Sequence, residues 1–147
     1  LYGGTLCSLY NSGFKGMAYG LDIFKGYYGD EKHTTSEHMQ KVMENTEEYG
    51  GIPFLYECNT QKVSTEQIAK DINNPQLDVL YIDGDHSHEG AISDYNKLFP
   101  FLRSGGMLIM DNYEMKGVKP AVKEIIKEGT CDSTAIWNNT MWCGIKK

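Results

Sequence analysis

The sequence predicts an α/β fold, a mostly parallel sheet with helices on both faces that closes with an antiparallel hairpin. Three observations predict it. Short, nearly continuous apolar runs, Leu77 to Ile82 and Met107 to Met110, alternate with segments of helical period. Strands read this way when helices cover a parallel sheet on both sides. Two β-like runs at the end, Ser133 to Trp137 and Thr140 to Ile145, flank Asn138-Asn139, a pair suited to a hairpin turn. The chain has 147 residues, of which 40% are hydrophobic. That supports a real core and a single domain over residues 1–147.

The chain opens without Met on Leu1-Tyr2-Gly3-Gly4-Thr5. Met17 to Leu21 reads as a strand ending at Asp22. Phe24 to Thr35 is polar and rich in Gly and Tyr, which reads as a loop. Ser36 is the expected N-cap of a helix carrying Met39, Val42, Met43 and Thr46 on one side, stopped by Gly50-Gly51. Ile52 to Glu57 is the next strand. Ser64-Thr65-Glu66-Gln67 matches a capping box and opens a short helix through Ile72. After the turn Asn73-Asn74-Pro75 comes the strand Leu77 to Ile82. Ser87 to Leu102 then places Ala91, Tyr95, Leu98 and Leu102 on one helical face. Ser104-Gly105-Gly106 reads as a turn before Met107 to Met110. Val118, Val122, Ile125 and Ile126 mark a last helix ending at Gly129.

Composition excludes some functions. The formal net charge is -6 with no basic run, whereas phosphate binding needs clustered Lys and Arg. No nucleic-acid partner is expected. No apolar run reaches bilayer length and no signal peptide is visible, so no membrane partner is expected. The four cysteines, Cys7, Cys58, Cys131 and Cys143, form no CxxC pair. They read as reduced thiols of a cytoplasmic protein. Asn138-Asn139-Thr140 fits a glycosylation sequon and is read as chance.

In such a sheet, ligands bind beyond the carboxyl ends of the strands. Asp22 stands at the first of these ends, where a carboxylate can accept from both hydroxyls of a ribose; a solvated turn is the other reading. Cys58-Asn59-Thr60-Gln61 follows the second strand, either as groups for a base edge or as an ordinary loop. Asp83-Gly84-Asp85-His86-Ser87-His88 follows the third and Asp111-Asn112 the fourth. Asp83, Asp111 and Asn112 supply hard oxygen donors of the kind Mg²⁺ takes, or the two carboxylates cap the following helices. His86 and His88 lack a third nitrogen or sulfur ligand for zinc. His86 fits a general base, and His88 a residue at a helix start.

Together these residues resemble the class I S-adenosylmethionine-dependent methyltransferases, which have a Rossmann-like fold. The branch is that of macrocin O-methyltransferase and the cephalosporin-hydroxylase-like proteins (methyltransferase domain 24-like), with catechol O-methyltransferase more distant. The resemblance is carried by Leu77 to Gly90, with its Tyr81-Ile82-Asp83-Gly84-Asp85-His86, and by Asp94, Leu102-Arg103-Ser104-Gly105-Gly106 and Asp111-Asn112-Tyr113. It runs from Leu1 to Trp142-Cys143-Gly144. It implies that Gly3 and Gly4 remain from the glycine motif holding the methionine part of the cofactor. The first strand and its acidic residue would precede the sequence. It further implies that Asp22 holds the ribose hydroxyls, that Asn59 and Thr60 lie against the adenine, and that Asp83 borders the cofactor. Asp83, Asp111 and Asn112 would be the metal ligands and His86 the base. The family has Gly-Asp-Ser where this chain has Cys58-Asn59-Thr60.

The expected activity is methyl transfer from S-adenosylmethionine to a hydroxyl of a small molecule, of sugar or natural-product type. Mg²⁺ or another divalent cation would assist, and a homo-oligomer stays open. Two rivals stand beside it. Asp83-Gly84-Asp85 is a DxD that suits the metal–diphosphate of a nucleotide-sugar glycosyltransferase. A methyltransferase fold can also serve as a binding module without catalysis.

Overall fold

A computed structural model describes residues 3–24 and 34–147. Leu1, Tyr2 and residues 25–33, with Tyr27, Tyr28 and His33 of the expected loop, lie outside the described residues. The chain divides into two compact units, Leu1–Asn59 and Thr60–Lys147.

In the first unit, α1 (Gly4–Asn11), β1 (Tyr19–Asp22), α2 (Thr35–Glu47) and β2 (Phe54–Glu57) follow in order. β1 and β2 pair in parallel, Tyr19 opposite Phe54 and Asp22 opposite Glu57. The Tyr19 ring stacks on Phe54 with centroids 5.5 Å apart. α1 is not legible in the sequence, because a segment of 8 residues is too short to show a helical period and Gly3-Gly4 reads as a turn. Gly3 has φ 80°, and a Cβ on it would lie 2.8 Å from Val42 Cγ1, so both backbone and packing demand glycine there. The cap of α2 lies two residues before the expected Ser36. Thr34 is the N-cap, and Glu37 returns the bond in a full capping box. Ser36 therefore sits inside the helix.

The second unit runs α3 (Thr65–Asp71), β3 (Leu77–Ile82), α4 (His88–Leu98), a 3₁₀ turn (Phe99–Phe101), β4 (Leu102–Met110), α5 (Val118–Glu128), β5 (Cys131–Trp137) and β6 (Met141–Lys146). Its sheet has the order β3-β4-β6-β5. β3 and β4 are parallel, and β6 runs antiparallel to both β4 and β5. Leu80 and Ile82 on β3, with Leu108 and Met110 on β4, face Ala91 and Tyr95 of α4 and Val118, Ala121, Val122 and Ile125 of α5. That apolar layer holds the sheet's position, each fully buried aliphatic contributing about 1.5–3 kcal/mol.

Three expectations are corrected in this unit. The helix after β3 ends at Leu98, because Pro100 cannot donate to the helical ladder; the Lys146 ammonium then satisfies the carbonyls of Phe99 and Leu102 at 2.9 and 2.6 Å. Ser104-Gly105-Gly106 is not a turn before the strand but a bulge inside it. Leu77 pairs with Leu102 and Val79 with Met107, so the extra residues of β4 loop out, with Gly105 at φ 74°. Ser64 caps α3 through Gln67 N–H, with no reciprocal bond among those observed at the cap. The expected hairpin turn is present: Asn138 and Asn139 both have positive φ, 47° and 59°, the requirement of a tight two-residue hairpin.

None of the four cysteines forms a disulfide among the described residues. Burial pushes the Cys131 and Cys143 thiols up, away from the reactive thiolate. Among the described residues no helix is long and apolar enough to cross a membrane.

Candidate active site

The last rung of the β3–β4 ladder builds the centre of the site. Ile82 pairs with Met110, and one residue on, the Asp111 amide donates to the Ile82 carbonyl at 3.0 Å. Asp83 and Asp111 therefore leave neighbouring parallel strands at the same level. Their carboxylates feel each other. Partial burial pushes the Asp83 carboxyl above its ordinary range, the hydrogen bond with His86 pulls it down, and the Asp111 charge pushes it up again. A pair of like charges at adjacent strand tips is a place where a cation lowers the energy.

His86 closes one side. Its Nε2 lies 3.2 Å from Asp83 Oδ1. Asp111 is held from two sides. Tyr81 donates its hydroxyl to Asp111 Oδ2 at 2.5 Å, and the Asn112 amide donates to Oδ1 at 2.8 Å. Asn112 has φ 52°, a left-handed turn that Asn tolerates. Immediately after it the Tyr113 amide donates to the Thr140 carbonyl at 2.7 Å, so the hairpin tip pins the turn. Asp83, Asp111 and Asn112 are thus gathered at two neighbouring strand tips. Among the described residues no group of three or more His, Cys, Asp or Glu is arranged to hold a metal; the gathered set is two carboxylates and an amide.

Neither carboxylate caps a helix. Ser87 caps α4 through Gly90 N–H, and Gly117 is the N-cap of α5. Asp85 shapes the loop. Its Oδ1 accepts the Ser87 amide at 2.9 Å, and its side chain packs where a Cβ on Gly90 would be only 2.5 Å away. His88 begins α4 and lies 3.0 Å from Glu124 Oε2 on α5.

In the first unit, Asp22 Oδ1 accepts the Phe24 amide at 3.0 Å. Its carbonyl accepts Cys58 N–H at 2.8 Å, which brings Asp22 beside the loop that carries Asn59. Gly3 and Gly4 form the N-terminus of α1, which has no side-chain cap. A Cβ on Gly4 would meet nothing within 4 Å. Backbone amides at a helix start are suited to a carboxylate.

Sequence reasoning placed Tyr81 in the motif of β3 without a role of its own, and read Gln61 only with Cys58-Asn59-Thr60 as a group for a base edge or an ordinary loop. Tyr81 was detectable, because side chains alternate along β3 and Tyr81 shares a face with the residue following Met110 on its parallel partner. The contact of Gln61 with Asp94 left no signal, since that partner lies on a helix far along the chain.

A mixed sheet with a parallel β3–β4 pair, flanked by helices and carrying acids at its strand tips, is a Rossmann-like arrangement. A family model described as a methyltransferase domain matches residues 5–113. The chain belongs to that family, within the class I S-adenosylmethionine-dependent methyltransferases. A curated protein, Uncharacterized protein R132 of Acanthamoeba polyphaga mimivirus, is 34% identical over 56 residues, which is 35% of this chain and 25% of that protein. The chain thus spans about a quarter of the length of the curated relative it matches. Among solved structures, the O-methyltransferase NovP aligns with a TM-score of 0.66 at 18% identity, covering 99% of this chain and 68% of NovP. MycE, a methyltransferase of the mycinamycin biosynthetic pathway in complex with Mg, SAH and mycinamycin VI, aligns with a TM-score of 0.55 at 12% identity, covering 99% and 48%. At these identities the two structures establish the fold.

Proposed function

We propose that the protein carrying this chain is an S-adenosylmethionine-dependent O-methyltransferase that methylates a hydroxyl of a small molecule, of natural-product or sugar type. One observation carries the reading: Asp83 and Asp111 stand side by side at the tips of β3 and β4, with His86 hydrogen-bonded to the first. The family match supplies the methyl donor. NovP is an O-methyltransferase, and MycE was crystallised with Mg and a natural product. NovP supports methylation at oxygen, and MycE supports the natural-product acceptor and the cation.

Asp83, Asp111 and Asn112 would hold a divalent cation of the Mg²⁺ type, and their hard oxygen donors and mutual repulsion fit one. When bound, the cation supplies a Lewis acid that lowers the pKa of an acceptor hydroxyl, and S-adenosylmethionine supplies a methyl group on a sulfonium leaving group. Nε2–H of His86 donates to Asp83, which leaves the lone pair on Nδ1 as the base for the hydroxyl proton. Asp22 would accept from the ribose hydroxyls, Asn59 and Thr60 would border the adenine, and the backbone amides at Gly3 and Gly4 would take the methionine carboxylate. Orientation of the two reactants is the remaining task of the chain. The DxD reading loses its basis, because Asp85 is committed to the Ser87 amide and the chain belongs to a methyltransferase family.

The test uses the full-length protein. Calorimetry should detect S-adenosylhomocysteine, and EDTA should abolish methylation of a hydroxyl acceptor panel. Undiminished turnover in Asp111→Ala or His86→Ala removes the role assigned to that residue, and insensitivity to EDTA removes the cation.

A further inference from the structure

α4 carries a carboxylate where its inward stripe should be apolar. Asp94 follows Ala91 by three residues and precedes Tyr95, and it is only 3% exposed. A buried carboxylate is costly unless its oxygens are engaged. Those of Asp94 are engaged by two separate loops. Gln61 Nε2 donates to Oδ1 at 2.8 Å, and the Thr60 side chain hydrogen-bonds to the same carboxylate. From the other side the backbone amide of Asp85 bonds to it. Gly84 lies so close that a Cβ there would be 2.4 Å from Asp94 Oδ2. Lys97, one turn further along α4, donates its ammonium to the Thr60 carbonyl. Gln61 also reaches the Gly90 carbonyl at 3.4 Å.

The two loops are the ones the proposed reaction needs. Thr60-Gln61 continues the segment assigned to the adenine, and Asp83-Gly84-Asp85 carries the first cation ligand and leads into His86. We propose that Asp94 is a positioning residue that acts from inside α4 as one shared acceptor for both loops, fixing the cofactor-side segment and the acid–base turn relative to each other. This rests on the functional reading above. Asp94 touches no reactant in it. A purely stabilising role predicts something different: loss of Asp94 lowers stability, and the two loops respond independently.

The experiment compares wild type, Asp94→Ala, Asp94→Asn and Gln61→Ala in the full-length protein. Amide hydrogen exchange reads the loops without any ligand. Asp94→Ala should raise exchange in residues 60–61 and 84–86 together, whereas Gln61→Ala should raise it only in the first. Calorimetry with S-adenosylhomocysteine should show about a tenfold weaker Kd for Asp94→Ala, the scale of hydrogen bonds to a charged group. The Asp94→Ala/Gln61→Ala double variant should bind no more weakly than Asp94→Ala alone, because both changes remove one tether. If Asp94→Ala does not fold, Asp94→Asn replaces it. It keeps the shape and one acceptor oxygen, and should loosen the Asp85 side while sparing Gln61. Raised exchange in one loop only with Asp94→Ala, or an unchanged Kd in a folded variant, overturns the proposal. If wild type binds no S-adenosylhomocysteine, the functional reading fails, and coupled exchange of the two loops then shows only a structural tie, which overturns the positioning role as well.

Discussion

Removing one oxygen from Tyr81 tests the proposed cation site without touching a ligand. In Tyr81→Phe the ring stays on β3 and Asp111 Oδ2 loses the donor now at 2.5 Å. Two effects oppose each other. A carboxylate that gives less density to a hydrogen bond offers more to a cation, which favours binding. The same carboxylate also loses a restraint on its rotation, and Oδ1 is left with the Asn112 amide as its one identified tether. A hydrogen bond to a charged group contributes about 1.5–3 kcal/mol, and groups that orient ligands alter metal affinity by roughly 10- to 100-fold. Tyr81 is half-buried, so the lower end applies and orientation dominates. Mg²⁺ affinity should fall about tenfold, while S-adenosylhomocysteine affinity stays within about twofold because the hydroxyl donates to Asp111. Calorimetric titration of each ligand into the full-length protein measures both. Unchanged Mg²⁺ affinity would refute the argument, and so would an equal loss for both ligands, which would mean a general disturbance of the strand tips.

Further outcomes follow from other contacts. His86→Ala should lower the methyl-transfer rate by about 10²- to 10⁴-fold, the usual worth of a general base, with S-adenosylhomocysteine binding intact in calorimetry. In Gly117→Ala the new Cβ would lie 2.2 Å from the His86 carbonyl and 2.7 Å from the His88 amide. Backbone cannot yield as a side-chain tip can, so urea unfolding should show a loss of about 1–3 kcal/mol. Burial holds the Asp94 carboxyl above its ordinary range, so between the unfolded and folded pKa the folded state binds more protons. Stability from this group is then present below the unfolded pKa and is lost as pH rises through the folded one. The stability difference between wild type and Asp94→Asn should therefore shrink with rising pH across that window in urea titrations, and a difference that grows would contradict it.

The sheet was readable because β3 and the end of β4 are apolar without interruption, and Asn138-Asn139 has turn chemistry independent of context. The acids were readable because they follow those strands directly. What escaped the sequence depends on tertiary partners. The β4 bulge looked like a turn because Gly105-Gly106 has the same local preference in either setting, and only pairing with Leu77 extends the strand back to Leu102. The α4 end was overrun because Leu102 continues the helical spacing of Leu98, although Pro100 lies between them. Asp94 was named only among the residues that carry the resemblance, and its structural meaning required Gln61, which is 33 residues away.

The sheet order also sets a timetable for synthesis. β6 is made after every other described strand, yet it lies between β4 and β5. Until Met141–Lys146 has left the ribosome, β5 lacks its neighbour and β4 has an open edge. The Tyr113 amide has no Thr140 carbonyl to meet either. A nascent chain halted after α5 already contains Asp83, His86 and Asp111 but lacks the brace that turns Asn112 beside them. Stalled or prematurely released chains of this kind would present a bare strand edge, which invites pairing with other chains, before they could present a working site.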